Sequence, residues 1–352
     1  MEYMKRKTWA LLCLAGLLAA MAMISAIVIA IDPFQVYRKA EKYLPPIDNT
    51  TQVYANAGIV RHYEYDSAIV GTSVTENFRP TQLDSLFGGR FIKLCTSAGT
   101  AYNHALLLNL AFDTHDIKRI LYGLDVYSFI AQLDETGSEV PLYLYDKNPF
   151  NDVKYWLNRS VLGSFLPRCL RTWGRQQDDS IRDSMYCWAG RDNYGHVALY
   201  NAQFTPPKDV FPADRDTEIA LANLSTHVIP FIKAHPDTQF DFFFPPYSAA
   251  EWSTMKSKGT LDIMLTLRGV LYDALTGYEN VTVYDFAARE DWVLNLDNYK
   301  DTLHYGQWIN DEIAACIARG EYAVTTRAQL DQSTNRLRTW ADELLAAGKW
   351  IY

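Results

Sequence analysis

The stretch Ile69-Val70-Gly71-Thr72-Ser73 is a short apolar run that ends in a turn of small residues carrying hydroxyl groups. It follows Asp66-Ser67-Ala68 and precedes Val74-Thr75-Glu76-Asn77-Phe78, which predicts a buried strand that stops and leads into a helix. A serine at such a turn lies at the carboxyl end of its strand, where open α/β sheets bind their ligands. Gly-Thr-Ser is equally typical of an ordinary turn and helix N-cap, so Ser73 has two interpretations at this point.

Similar apolar runs, rich in β-branched and aromatic residues, recur along the chain with helical spacers between them. Strand, helix and strand in repeated alternation indicate a parallel sheet covered by helices on both faces. We therefore predict an α/β fold with a doubly wound parallel sheet in three αβα layers. The five predicted strands are Ser67–Gly71, Phe91–Cys95, Ile117–Gly123, Gln239–Phe244 and Val281–Phe286.

The amino-terminal segment Ala10–Ile31 is an unbroken apolar run, preceded by Lys5-Arg6-Lys7 and closed by Asp32-Pro33. Its 22 residues are enough to cross a bilayer, which takes about 20. The run is longer than the roughly 7–15 apolar residues of a cleavable signal peptide, so a retained anchor is favoured, although Ala20-Met21-Ala22 leaves cleavage open. The basic residues place the amino terminus in the cytoplasm and the remaining chain outside it, as a single-pass protein of the cell membrane.

The predicted organisation follows from these segments. Residues 1–9 form a cytoplasmic tail, 10–31 the transmembrane helix, and 32–54, with Pro33, Pro45 and Pro46, a juxtamembrane stalk. The α/β domain extends over 55–320 with a helical insertion at 130–211, and 321–352 contains a closing amphipathic helix, Arg327–Ala347.

Composition excludes several classes of function. The chain has 352 residues, is 49% hydrophobic and carries a net charge of −8, so it is a folded protein and nucleic acid is not its partner. No cysteine or histidine spacing is typical of a zinc site, and we predict no metal and no cofactor. Cys169 and Cys187 are candidates for a disulfide in an oxidising compartment, and the sequence leaves their pairing open.

Val153–Arg191, within the predicted insertion, is basic in an otherwise acidic chain. It holds seven Lys/Arg and three Asp, with an apolar stripe among the bases. Such a stripe is typical of a helix lying on a membrane or partner surface, and also of a helical cap that packs on the sheet. The stripe residues are Tyr155, Trp156, Leu157, Val161, Leu162, Phe165, Leu166, Leu170 and Trp173.

A second motif follows the last predicted strand. Asp301 and His304 stand three residues apart, just before the helical pattern Trp308–Ala318. A histidine accepts a proton from a serine when a carboxylate orients its other ring nitrogen and stabilises the imidazolium. Asp-x-x-His therefore offers a base and its orienting group from one loop.

A serine turn after the first strand together with Asp-x-x-His after the last resembles the SGNH (GDSL-like) hydrolase superfamily. Within it, the chain is similar to the membrane-anchored branch that includes the alginate O-acetylation proteins and the D-alanine-transfer protein of the teichoic-acid pathway. The resemblance covers roughly 54–319 and implies a flavodoxin-like αβα fold with Ser73 as nucleophile, His304 as base and Asp301 as its orienting group. Gly71-Thr72-Ser73 replaces the family's Gly-Asp-Ser and keeps the serine.

The resemblance also implies an oxyanion hole made of the nucleophile's amide, a glycine after the second strand and an asparagine after the third. Gly99 stands at the second place. At the third place stands Asp125, and an ionised carboxylate cannot donate a hydrogen bond. Either Asp125 is protonated, or it has another role, or the intermediate is stabilised differently. Tyr247, after the fourth strand, is either a residue of the substrate groove or a packed tyrosine held by Pro245-Pro246.

The function implied is an extracytoplasmic serine acyl-ester enzyme. Its partners would be an acyl donor, a glycan acceptor and a membrane-bound O-acyltransferase that brings the acyl group across the membrane. We favour O-acyl transfer to a cell-surface or exported polysaccharide. An esterase that removes acyl groups from the same glycans, and an inactive scaffold of an acylation complex, are the alternatives.

Overall fold

The computed structural model describes residues 2–190, 193–195 and 213–347, and it divides into two compact units. Unit 1 comprises Met1–Ile47, Val53–Tyr63 and Val140–Asp178. Unit 2 comprises Asp48–Gln52, Glu64–Glu139 and Asp179–Tyr352 and contains the β-sheet. The portions of the predicted segments 130–211 and 321–352 at 191–192, 196–211 and 348–352 lie outside the described residues.

The regular elements are numbered here in chain order, leaving aside short 3-10 and π-helical turns. They are α1 (Glu2–Ile31), α2 (Gln52–His62), β1 (Ser67–Gly71), α3 (Pro80–Phe87), β2 (Phe91–Cys95), α4 (Ala101–Thr114), β3 (Arg119–Gly123), α5 (Val153–Trp156), α6 (Leu166–Arg171), α7 (Ile181–Ser184), α8 (Ala213–His227), α9 (Ile229–Ala234), β4 (Gln239–Phe244), α10 (Ala249–Ser257), α11 (Leu261–Leu275), β5 (Val281–Asp285), α12 (Glu290–Val293), α13 (Gln307–Ala318) and α14 (Arg327–Ala347).

Helix α1 carries the apolar run that the sequence singles out. Within its span Arg6–Ile31, the most apolar 18-residue window has a mean hydropathy of 2.6, and only 6% of that window is buried within the protein. A helix of 26 residues is about 39 Å long, which exceeds the roughly 30 Å of a bilayer's hydrocarbon core. It is thus long and apolar enough to cross a membrane once.

The sheet of unit 2 has five parallel strands in the order β2-β1-β3-β4-β5. The predicted α/β fold with a doubly wound parallel sheet is confirmed. Its strands are almost entirely buried, as expected when helices cover both faces, and Phe240, Phe242, Phe243 and Phe244 of β4 are each at most 1% exposed. The chain reverses direction across the sheet between β1 and β3, so the crevice at their carboxyl ends is the switch point where such folds bind ligands.

Two predicted strands differ in extent from the observed ones, since the third begins at Arg119 instead of Ile117 and the fifth ends at Asp285 instead of Phe286. The apolar stretch 219–234, which has a near-helical period, belongs to two helices, α8 and α9. Pro230 lies in the first turn of α9, where its missing N–H and fixed backbone angle are tolerated, whereas they would break a continuous helix.

Gly71 ends β1 at a place where a side chain would not fit. Its φ is +156°, and a Cβ there would lie 2.6 Å from Cγ2 of Thr75. Gly123, at the end of β3, has the same neighbour, because its Cβ would lie 2.7 Å from that methyl carbon. The two glycines allow the turn after β1 to fold tightly against the neighbouring strand, which places Ser73 at the crevice.

Candidate active site

The structure brings Ser73, His304 and Asp301 together in one chain of hydrogen bonds. Ser73 Oγ lies 2.7 Å from Nε2 of His304. The other ring nitrogen, Nδ1, lies 2.8 Å from Oδ2 and 3.0 Å from Oδ1 of Asp301. The imidazole is therefore placed to accept the serine proton on one side while a carboxylate holds its N–H on the other.

The Asp-x-x-His loop is shaped largely by its own backbone. The loop is closed by an antiparallel bridge between Tyr299 and Tyr305 and by the bond from the N–H of Lys300 to the carbonyl of His304, 3.0 Å. Asp301 Oδ1 also accepts the backbone N–H groups of Leu303 and His304, at 2.9 and 2.7 Å. One carboxylate thus fixes both the turn and the imidazole, so the short spacing is a structural requirement of this loop.

Helix α13, which follows the loop, is tied to the serine turn. Asn310 Nδ2 donates to the carbonyl of Val74 at 2.9 Å, and Gln307 Nε2 donates to the carbonyl of Asn77 at 3.1 Å. These bonds join the segment after β5 to the segment after β1. They explain how residues more than two hundred positions apart meet.

Burial and hydrogen bonding act in opposite directions on Asp301. Burial by itself would raise the pKa of its carboxyl group, but the hydrogen bonds from the His304 ring and from the two loop N–H groups hold the pKa below its ordinary value of 3.8. Asp301 is consequently ionised at neutral pH and can stabilise a positive charge that forms on His304.

Trp188 lies against the imidazole, and no motif in the sequence pointed to it. Its ring meets that of His304 edge to face, with centroids 5.5 Å apart, and its Nε1 donates to the carbonyl of Ser73 at 3.2 Å. The ammonium of Lys300 lies 3.7 Å from the centre of the Trp188 ring. Because Trp188 touches both the histidine and the backbone of the serine, it limits the movement of one relative to the other.

The start of α10 contacts the loop of Asp301 and His304 from a third side. The side chain of Ser248 caps the helix by accepting the N–H of Glu251, and its hydroxyl donates to the carbonyl of Thr302 at 2.6 Å. The carboxylate of Glu251 accepts the hydroxyl of Thr302 and, at 2.9 Å, that of Tyr127. This Ser-x-x-Glu pattern was a sequence signal that could have been found, since it is typical of a capped helix start.

Asp125 is placed as an acceptor behind the serine turn. Its carboxylate accepts the hydroxyl of Thr72 at 2.8 Å, the hydroxyl of Tyr247 at 2.6 Å and the N–H of Tyr127 at 3.1 Å. Both Asp125 and Tyr247 are buried, with 4% and 2% of their surface exposed. Tyr247 is thus the packed tyrosine of the two alternatives, and its hydroxyl serves Asp125.

The N–H of Gly99 is already engaged, since it donates to the carbonyl of Thr96 at 2.9 Å in the turn after β2. Within the part of the chain that the structure describes, the N–H of Ser73 donates no hydrogen bond. Of the donors expected for an oxyanion hole, the amide of Ser73 is therefore the one left available beside its own hydroxyl.

Beneath the serine turn lies a buried carboxyl group that the sequence analysis did not single out. Glu76 is 1% exposed, and it accepts the hydroxyl of Ser97 at 2.5 Å and the amide of Gln52 at 2.7 Å. Burial raises the pKa of Glu76 above its ordinary value. The residue links the turns after β1 and β2.

Among the described residues, neither a metal cluster nor a disulfide accompanies the site. Over 2–190, 193–195 and 213–347, no group of three or more His, Cys, Asp or Glu side chains is placed to hold a metal ion. All five cysteines are free thiols, Cys169 and Cys187 included, so the disulfide that the sequence left open is not formed.

No protein-family model and no curated protein sequence matches the chain. Among solved structures, it is similar to a candidate platelet activating factor from Streptococcus pneumonia, with 10% identity over 78% of this chain and 91% of that one and a TM-score of 0.41. It is also similar to a candidate acylhydrolase from Bacteroides fragilis, with 10% identity, coverage of 76% and 87% and a TM-score of 0.37. A third is an acetyl xylan esterase from the rumen bacterium Butyrivibrio proteoclasticus, with 11% identity, coverage of 73% and 63% and a TM-score of 0.34.

Proposed function

We propose that the protein is a serine acyl-ester enzyme in which Ser73 is the nucleophile, His304 the general base and acid, and Asp301 the group that orients and stabilises the imidazolium. The observation that carries this proposal is the hydrogen-bond chain from Ser73 Oγ through both nitrogens of His304 to Asp301. A Ser-His-Asp mechanism needs all three side chains at once, and here they come from the segments that follow the first and last strands.

The chemistry is acyl transfer in two steps. Ser73 Oγ attacks the carbonyl carbon of the acyl donor while its proton passes to Nε2 of His304, and the amide of Ser73 stabilises the oxyanion that forms. The donor's alkoxide then leaves with the proton from His304, so that the acyl group is held as an ester on Ser73. In the second step an acceptor hydroxyl attacks the carbonyl carbon of this ester and gives its proton to Nε2 of His304. The acyl group passes to the acceptor, and His304 returns the proton to Ser73 Oγ.

We further propose that the acceptor is a sugar hydroxyl of an exported or cell-surface glycan, which makes the protein an O-acyltransferase. A helix long enough to anchor the chain in the cell membrane supports a site outside the cytoplasm, where such glycans are found. The donor would come from a membrane-bound O-acyltransferase partner. The acidic chain, with net charge −8, favours an uncharged glycan over a strongly anionic one.

The test uses the full-length protein in detergent with an acetyl ester as donor and a neutral oligosaccharide as acceptor. We expect acetylated oligosaccharide to form, at the expense of free acetate, and both products to be absent with Ser73→Ala. Release of free acetate at one rate with and without acceptor would instead identify an esterase. No acyl chemistry with any donor would favour the inactive scaffold.

A further inference from the structure

The amino-terminal helix is joined to the rest of unit 1 by a fixed connection. Immediately after α1, Asp32 takes a left-handed backbone conformation (φ +55°) and its carboxylate accepts the N–H groups of Val36 and Tyr37, at 2.9 and 2.8 Å. Arg38 reaches back and donates to the carbonyls of Ile29, at 2.8 Å, and Ala30. These bonds cap the last turn of α1, so the residues that follow cannot swing freely around its end.

The segment around α6 is attached to the same helix end. Tyr43 donates its hydroxyl to the carbonyls of Ile31 and Asp32, both at 2.6 Å, and its ring stacks on Trp173 with centroids 6.2 Å apart. A further bond runs from the N–H of Gly174 to the carbonyl of Lys42, 2.7 Å. Only the side chain of Tyr43 therefore lies between Trp173 and Ile31, the last residue of α1.

The length of α1 fixes the level of this attachment in a bilayer. If the basic residues up to Lys7 stay at the cytoplasmic surface, about 20 residues of helix cross the hydrocarbon core, which ends near Val28. Ile29 to Asp32 then lie in the headgroup region, and Trp173 and α6 lie there with them.

The side chains of α6 and Trp173 are of types that favour the headgroup region of a bilayer. Leu170 is 51% exposed and Trp173 is 52% exposed, although neighbouring stripe residues such as Tyr155 are fully buried. Arg168 and Arg171 belong to the same turn of α6, and 140–178 as a whole holds six Lys/Arg against three Asp. Tryptophan with arginine is the combination that favours the boundary between lipid headgroups and acyl chains.

We propose that Leu170 and Trp173, flanked by Arg168 and Arg171, form a membrane-contact surface that rests on the outer face of the bilayer crossed by α1. The occupant is the lipid itself, because the helix end to which the surface is bonded must emerge from lipid at that point. The proposal rests only on the membrane anchor of the proposed function, and not on the acyl chemistry at Ser73.

The experiment measures quenching of tryptophan fluorescence by brominated phosphatidylcholine in vesicles that contain the full-length protein. With bromine close to the headgroup, Trp173→Phe is expected to lower the quenched part of the emission, by at most one tryptophan's share of the total emission of the nine. Trp252→Phe is the control, since its side chain is only 1% exposed and is shielded from lipid by protein, and it is expected to lower the quenched signal less. Trp9→Phe reports the insertion of α1 independently of the surface.

An unchanged signal for Trp173→Phe with a lowered signal for Trp9→Phe would overturn the membrane-contact surface and leave the anchor in place. Unchanged signals for both would overturn the anchor, and the surface with it. Replacing part of the phosphatidylcholine by phosphatidylglycerol should strengthen the quenching of Trp173, and Arg168→Gln with Arg171→Gln should remove that gain. Retention of the gain would contradict the role of the two arginines.

Discussion

Two carboxylates, those of Asp301 and Asp125, lie beside the serine turn and have different kinds of hydrogen-bond partner. Asp301 faces an imidazole that can become charged, and Asp125 faces only neutral donors, the hydroxyls of Thr72 and Tyr247 and one backbone N–H. A carboxylate paired with an ionisable ring can respond to a proton transfer, whereas one surrounded by hydroxyls can only hold its neighbours in place. The residue type alone therefore does not assign a role to either carboxylate. The hydrogen-bond partners of each one do.

The largest expected effect comes from removing the charge beside the imidazole. Asp301→Asn should lower kcat by about 10²- to 10⁴-fold, because the amide can hold the ring in the wrong tautomer and cannot stabilise the imidazolium. The measurement is steady-state ester turnover on folded protein. Asp297→Asn, an exposed residue of the same region, is the matched control and should leave kcat unchanged. Equal rates for wild type and Asp301→Asn would remove the difference between the two carboxylates.

A smaller effect is expected from the same change at the supporting carboxylate. Asp125→Asn keeps one acceptor oxygen and replaces the other by an amide NH2, which cannot accept the proton of a hydroxyl, and this should cost about tenfold in kcat through a less well fixed Ser73. The pH profile should keep its shape, because Asp125 does not contact the group that exchanges the proton. A shifted pH profile would contradict the view that Asp125 acts only by positioning.

Glu251 supports the loop that carries Asp301 and His304, and its replacement should have a smaller effect on kcat. Glu251→Ala removes the acceptor for both Thr302 and Tyr127 and should lower kcat by roughly three- to tenfold, since the loop of His304 loses one of its supports. Glu251→Gln, which retains one acceptor oxygen, should restore most of the rate. Rescue by glutamine separates lost positioning from lost charge, and a glutamine variant as slow as the alanine variant would point to the charge.

The smallest effect concerns stability at acid pH. The pKa of Asp301 is lower in the folded protein than its ordinary 3.8, so its contribution is complete above that value and is lost as the pH falls through the folded pKa. The difference in Tm between wild type and Asp301→Asn should shrink as the pH is lowered below about 4. A difference that stays constant down to pH 2 would show that the carboxylate is not stabilised by His304.

Much of the sheet and part of the site could be predicted from the sequence because both are encoded locally. Apolar runs such as Phe240–Phe244, in which Asp241 is the one polar residue, mark strands buried on both faces, and Asp301 shapes the loop that presents His304. The roles of Asp125 and Trp188 could not be predicted. Asp125 gains its partners from turns 53 positions before and 122 after it, and Trp188 reaches the site from a segment without any strand pattern.

The most direct measurement is covalent labelling of the full-length protein with a fluorophosphonate, followed by mass spectrometry of the labelled peptide. A single phosphonyl group on Ser73 is expected, absent from Ser73→Ala, strongly slowed in His304→Ala and unchanged in Ser85→Ala, an exposed serine of α3. Equal labelling of wild type and Ser73→Ala would contradict Ser73 as the nucleophile.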